Sequence, residues 1–257
     1  MATIQLIRHA TLRITCDEGT VLVDPMLGST GAYDAVADAP LPRRNPLVPL
    51  RMGMDEVLRD LDLVLVTHTH RDHWDDAAIA ALPKGVAVRC QPADAQKISA
   101  AGFTQAQAID TTSLEHGLRI TRTGGRHGRG AIGERMAPVS GFVLARPGGP
   151  TIYVAGDTIW CPEVEAALAQ YRPDVVVVNA GAAQFNAGGP ITMAADDVVQ
   201  VARAAATARI VAVHMETWNH CVLTRAGLRQ ALEAAGLTTT GRTARVAIPD
   251  DGATIAL

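Results

Sequence analysis

The chain has little of what marks several protein classes. Aromatics make up 4% of its 257 residues, so any core must be packed from aliphatic side chains. Four cysteines, Cys16, Cys90, Cys161 and Cys221, are widely spaced and form no C-x-x-C pair. Together with the absence of a signal-like opening, that favours a reducing compartment over a disulfide framework, with Cys16 and Cys90 read as small buried hydrophobes. No apolar run is long enough to span a bilayer. The opening Met1-Ala2-Thr3-Ile4-Gln5 has neither a charged n-region nor a long apolar h-region, so a cytoplasmic location without a membrane partner is expected. No long Lys/Arg run is present and the formal net charge is −3, which makes nucleic acid a poor partner.

What is present is aliphatic and strongly patterned. Hydrophobic residues make up 48% of the chain, mostly Ala, Val, Leu and Ile, enough for one layered domain over residues 1–257. Strands are expected at 4–9, 12–16 and 21–23, with Asp17-Glu18-Gly19 as a turn, and then at 63–66, 86–90, 118–123, 139–145, 151–155, 175–178, 210–213 and 246–248. Helices are expected at 74–82, 94–101, 162–170, 193–205 (capped by Thr192) and 225–235. Antiparallel strands at the start and β-α alternation later suit a two-sheet sandwich with outer helices.

Directly after the apolar run Leu63-Val64-Leu65-Val66 comes Thr67-His68-Thr69-His70-Arg71-Asp72-His73. Imidazole nitrogen and carboxylate oxygen are ligands for zinc and similar divalent metals. His68 and His70 share a face of an extended segment, and Asp72 and His73 fall where the chain turns. Four such groups can hold more than one ion.

This H-x-H-x-D-H motif resembles that of the metallo-β-lactamase superfamily. The resemblance implies an α/β fold, a four-layer αββα sandwich, with His68 and His70 on one ion and Asp72 and His73 on another. It also implies three later ligands, for which His127, Asp157 and His214 are in the right order, each after a strand-like segment. Asp157 resembles the bridging carboxylate. The first strands, including Leu22-Val23-Asp24-Pro25-Met26-Leu27, resemble a branch of metal-dependent hydrolases that contains ascorbate-6-phosphate lactonases. In that branch Asp24 corresponds to a structural residue under the site.

The activity so implied is that of a dinuclear hydrolase. Two divalent ions, zinc by default and manganese in the lactonase-like branch, make a bridging hydroxide available to a small ester, lactone or phosphoester. Asp72 is expected to orient this nucleophile as well as to bind metal. Beyond His214 lie Glu216, Asn219 and His220, which could orient a ligand imidazole or, for His220, protonate a leaving group. His9 and His116 read as strand-end and turn residues, not as ligands. The segment Gly28–Arg51, with prolines at 40, 42, 46 and 49, reads as a long loop. Its Tyr33, Arg43 and Arg44 could line a pocket for an anionic substrate; the alternatives are an oligomer contact, in a homo-oligomer, or a solvated loop. Alternatives for the function are a phosphodiesterase or phospholipase-like member of the superfamily and a metal-binding module without turnover. A flavodiiron redox centre is disfavoured because its second His is a carboxylate, whereas here it is His70.

Overall fold

A computed structural model describes residues 2–16, 19–136, 138–241 and 244–257, which leaves Asp17 and Glu18 of the expected first turn outside the described residues. The first sheet is built from β1 (Thr3–Arg8), β2 (Thr11–Cys16), β3 (Gly19–Val23), β4 (Leu63–Val66), β5 (Ala87–Cys90), β6 (Gln105–Ala108) and a late strand, β14 (Thr254–Ala256). The second is built from β7 (Thr112–Glu115), β8 (Leu118–Thr123), β9 (Gly141–Ala145), β10 (Ile152–Val154), β11 (Val175–Asn179), β12 (Arg209–Val213) and β13 (Val246–Ala247). The helices are α1 (Met54–Val57), α2 (Asp76–Ala81), α3 (Ala95–Ala100), α4 (Gly130–Met136), α5 (Pro162–Tyr171), α6 (Ala195–Ala204) and α7 (Arg225–Ala234).

The two sheets have the same plan. The first runs β14-β1-β2-β3-β4-β5-β6 and the second β13-β12-β11-β10-β9-β8-β7. In each, one stretch is antiparallel and the other parallel. The apolar runs are continuous because both faces of the central strands are covered. Leu63 and Leu65 of β4 point into the sandwich with Val175 and Val177 of β11. Their neighbours Val64 and Val66 pack outward against Ala78 of α2 and Ile98 of α3. Val176 and Val178 likewise meet Val164 and Leu168 of α5, Val198 of α6 and Leu228 of α7. Each fully buried Val or Leu contributes roughly 1.5–3 kcal/mol, so many aliphatic contacts replace the missing aromatics. The result is the expected αββα sandwich.

Several expected boundaries shift by one or two residues: the helix expected from 74 starts at Asp76 and the strand expected from 139 at Gly141. The helix read from Met193 begins at Ala195, and Thr192 does not cap it. The Asp197 carboxylate accepts from the Ala194 N–H (3.1 Å), while Thr192 Oγ1 accepts from the Ala183 N–H (2.9 Å). Met193 is held extended because its N–H donates to the Asn179 carbonyl and its carbonyl accepts from Ala182. The four cysteines are free, with Cys90 buried and Cys16 half-buried. Among the described residues no helix is long and apolar enough to cross a membrane.

Candidate metal centre

The C-terminal ends of β1, β4, β8, β10 and β12 meet at one end of the sandwich, and each is followed by a site residue. At the end of β4 the Thr67 N–H and hydroxyl both donate to Asp24, each at 2.7 Å, and so fix the start of the His-rich turn. The N–H groups of His73 and Trp74 then both donate to the His70 carbonyl at 2.9 Å. That turn folds Asp72 and His73 back toward His68. Asp75 closes the segment by accepting from the Ala78 N–H (2.7 Å) and so caps α2.

All seven residues expected as ligands converge. His68, His70 and His127 form one set: His68 Nε2 lies 2.9 Å from His70 Nδ1, which lies 3.3 Å from His127 Nε2. Asp72, His73 and His214 form a second, with His73 Nε2 and His214 Nε2 3.2 Å apart and Asp72 Oδ2 3.5 Å from His214 Nε2. Asp157 lies between them. Its Oδ2 is 3.5 Å from His127 Nε2 and 3.2 Å from His73 Nε2, and its Oδ1 is 3.3 Å from His214 Nε2. A carboxylate so placed reaches both sets. The Gly156 before it has φ +71, and a Cβ there would lie 2.7 Å from the Ser140 carbonyl, so glycine is required at this approach.

The donor set fits divalent metal. Four imidazoles present Nε2 inward and commit Nδ1 to a neighbour: His68 to Thr67 Oγ1 (3.1 Å), His73 to Asp24 (2.8 Å), His127 to the Ile191 carbonyl (2.8 Å) and His214 to Cys221 Sγ (3.6 Å). Such outer partners are what orient metal-binding imidazoles. The inward nitrogens lie closer to one another than neutral lone pairs favour without a cation between them.

Burial and charge act together here. Burial, and next to it His73, holds the His68 imidazole well below its ordinary pKa, and burial lowers His127. Burial would likewise pull His73 down, but Asp157, Asp72 and Asp24 override it and raise it well above. Burial alone would raise Asp72 and Asp157; the facing imidazoles hold both well below the usual carboxylate range.

A cavity of about 250 Å³ opens over the centre, lined by His70, Asp72, His127 and Asp157. Its other walls include Val36, Met136, Phe185, Ile191, Trp218, Arg71 and His220. His220 lies with Nε2 3.9 Å from Asp72 Oδ2, and burial lowers its pKa to about 4. Its Nδ1 has no partner among the described residues.

Other expected site residues lie elsewhere. Glu216 pairs with Arg225 (2.7 Å). Asn219 ties two loops together, accepting from the Val36 N–H (2.9 Å) and Asn45 Nδ2 (2.8 Å) and donating to the Leu41 carbonyl (2.6 Å). Arg44 is exposed, paired with Asp34, and Arg43 is exposed too. Tyr33 donates to Asp75 (3.0 Å) and stacks near Trp218. The long loop therefore reaches the cavity through Val36, not through its arginines. His116 is exposed in the turn before β8. His9, read as a plain strand end, is instead fully buried against the centre, with Nε2 3.3 Å from Asp72 Oδ2. Its position after β1, at the same strand ends as the ligands, was the signal for it.

The chain is similar to several known proteins. The model of a family described as β-lactamase superfamily domain matches residues 20–215. The UPF0173 protein YddR of Bacillus subtilis (strain 168) is 35% identical over 252 residues, 96% of each chain. The crystal structure of an isothiocyanate hydrolase from Delia radicum gut bacteria is 36% identical, with a TM-score of 0.92 over 99% of each chain. That of a possible metal-dependent hydrolase from Veillonella parvula DSM 2008 is 33% identical, with a TM-score of 0.94 over 100% of each chain.

Proposed function

The chain belongs to the β-lactamase superfamily as a metal-dependent hydrolase, and on that footing we propose that it holds two divalent ions, zinc or manganese, and cleaves a small, neutral electrophile with an apolar tail. His68, His70 and His127 would hold one ion, Asp72, His73 and His214 the other, and Asp157 both. Bound there, the ions supply Lewis acidity and a hydroxide nucleophile near neutral pH.

The observation that carries the substrate class is the cavity wall. Val36, Met136, Phe185, Ile191 and Trp218 offer an apolar seat beside the donors. Arg71 is the cation among the described lining residues, and its guanidinium is spent on the Tyr33 ring (5.1 Å) and Asp76 (3.6 Å). Beyond the ions, then, the described walls offer an anionic group no free cation and an apolar tail a seat, which suits an ester, a lactone or an isothiocyanate, each with an uncharged reactive carbon. The similarity to an isothiocyanate hydrolase favours the last. In that case hydroxide would add to the central carbon of R–N=C=S, the nitrogen would take up one proton from solvent and a second from the added hydroxyl, and C–N cleavage would give the amine and carbonyl sulfide. Asp72, on the cavity wall, orients the nucleophile. His220, kept neutral by burial, donates a hydrogen bond to the substrate heteroatom.

The test is metal analysis with a substrate panel on reconstituted protein. We expect about two ions per chain and turnover of alkyl or aryl isothiocyanates, with apolar lactones and esters as the competing arm and phosphodiesters inert. Phe185→Ala should raise KM for an aryl substrate about 3–10-fold at little-changed kcat. Two ions without turnover across the panel would favour a metal-binding module.

A further inference from the structure

We infer that His9 is a positioning residue for the second donor set: its Nε2–H holds the Asp72 carboxylate and its backbone and ring hold His214, while it ligates no ion itself. The inference rests on the reading that these donors bind metal.

His9 follows β1 directly, where the pairing with β2 shifts register between Leu6 and Arg8, and it adopts a left-handed φ of 61°. That turn carries the side chain into the centre, where it is fully buried. Nε2 lies 3.3 Å from Asp72 Oδ2. The His9 carbonyl accepts the His214 N–H at 3.0 Å, and the two rings lie 3.6 Å apart at a tilt of 35°. One residue thus touches two members of the same donor set by three separate contacts.

Proximity alone would also allow His9 to be a ligand, since it shares a cluster with Asp72, His73 and His214. Its other nitrogen argues against that. A neutral imidazole that gives one nitrogen to a metal carries its proton on the other, and that N–H needs an acceptor. His73 and His127 have carboxylate or carbonyl acceptors at Nδ1. His9 Nδ1 is buried with no partner among the described residues. The proton therefore belongs on Nε2, where Asp72 accepts it, and the unmet atom is a lone pair, not a stranded N–H. Oδ2 is also the oxygen that lies 3.5 Å from His214 Nε2, so the bond from His9 holds the oxygen that faces the donor set and keeps the carboxylate from rotating.

Two variants separate the roles. His9→Phe keeps the ring and removes the donor; His9→Gln restores an N–H near the Nε2 position. Chelator competition and the absorption spectrum of the cobalt-substituted protein report on the ions. We expect the Phe variant to weaken one ion about 10–100-fold, to leave the other, and the Gln variant to recover most of the loss. Nitrogen-15 imidazole spectra of the wild type, with and without metal, should show His9 protonated at Nε2 in both. Complete loss of one ion in both variants, or protonation at Nδ1, would overturn the proposal in favour of a ligand. Equal loss of melting temperature with unchanged ion affinity would reduce His9 to packing. If the wild type binds no second ion, the two-ion reading fails, and the spectrum of the metal-free protein still decides the His9–Asp72 bond.

Discussion

The two donor sets meet at Asp157 but are built on different terms. His68, His70 and His127 form an all-imidazole set, and two of the three line the cavity; His70 is only half-buried. In the second set His73 and His214 are fully buried and backed by Asp24, Cys221 and His9. Only Asp72 of that set reaches the cavity among the described residues. The open set is shaped for exchange with solvent and substrate, and the closed set is part of the core. Two sites of similar chemistry can therefore fail in different ways.

The strongest way to abolish the difference is to remove what the sets share. Asp157→Ala should release both ions and lower turnover by at least about 10³-fold; metal analysis showing one ion retained at full occupancy would mean that Asp157 serves a single set. Matched substitutions on either side should sharpen the contrast. His214→Asn, in the closed set, should cost about 2–3 kcal/mol of metal-free stability, whereas His70→Asn should cost under about 1 kcal/mol. Denaturant unfolding measures both, and equal losses would erase the distinction between open and closed.

The smallest effect is on pH. Burial holds His9, His68, His127 and His220 below their ordinary pKa, His220 at about 4. In the unfolded chain these imidazoles protonate near pH 6.5, roughly. Their neutral native form is thus increasingly penalised as pH falls from about 6.5 toward about 4. His73 is raised and acts oppositely, its contribution being present below about 6.5 and lost as pH rises through its folded value. The buried Asp24, Asp197 and Asp251, which burial raises, act in the same sense as His73; the expected net, with four buried neutral imidazoles set against these, is a metal-free protein that melts at lower temperature as it is acidified through this range. A calorimetric melting temperature that stays level or rises would contradict the balance.

How far the site was legible depended on whether local pattern or tertiary placement decided each residue. The His-rich turn could be read because four donors in six residues have few other uses, and the later ligands because each ends an apolar strand. His9 also ends one, but its reading requires knowing that β1, separated from β4 by β2 and β3, points the same way and ends at the same edge of the sheet. Glu216 and Asn219 look like site residues in sequence, yet their partners, Arg225 and the 36–45 loop, turn them into scaffold. In the fold, β6 and β7 escaped notice because Gln105-Ala106-Gln107-Ala108 and Thr112-Ser113-Leu114-Glu115 are largely exposed edge strands. Helix α4 escaped because Gly130 and Gly133 lower helical propensity.

The double coverage of the central strands also sets how this chain can drift over generations. In β11 every residue is buried, so neither odd nor even positions are free to vary. In β7 no residue is buried, and in β8 buried and exposed residues alternate over the first three positions, so the outward positions accept most polar exchanges. Neutral change should therefore pool at the rim of each sheet, while the central strands β4, β10 and β12 admit little but aliphatic swaps.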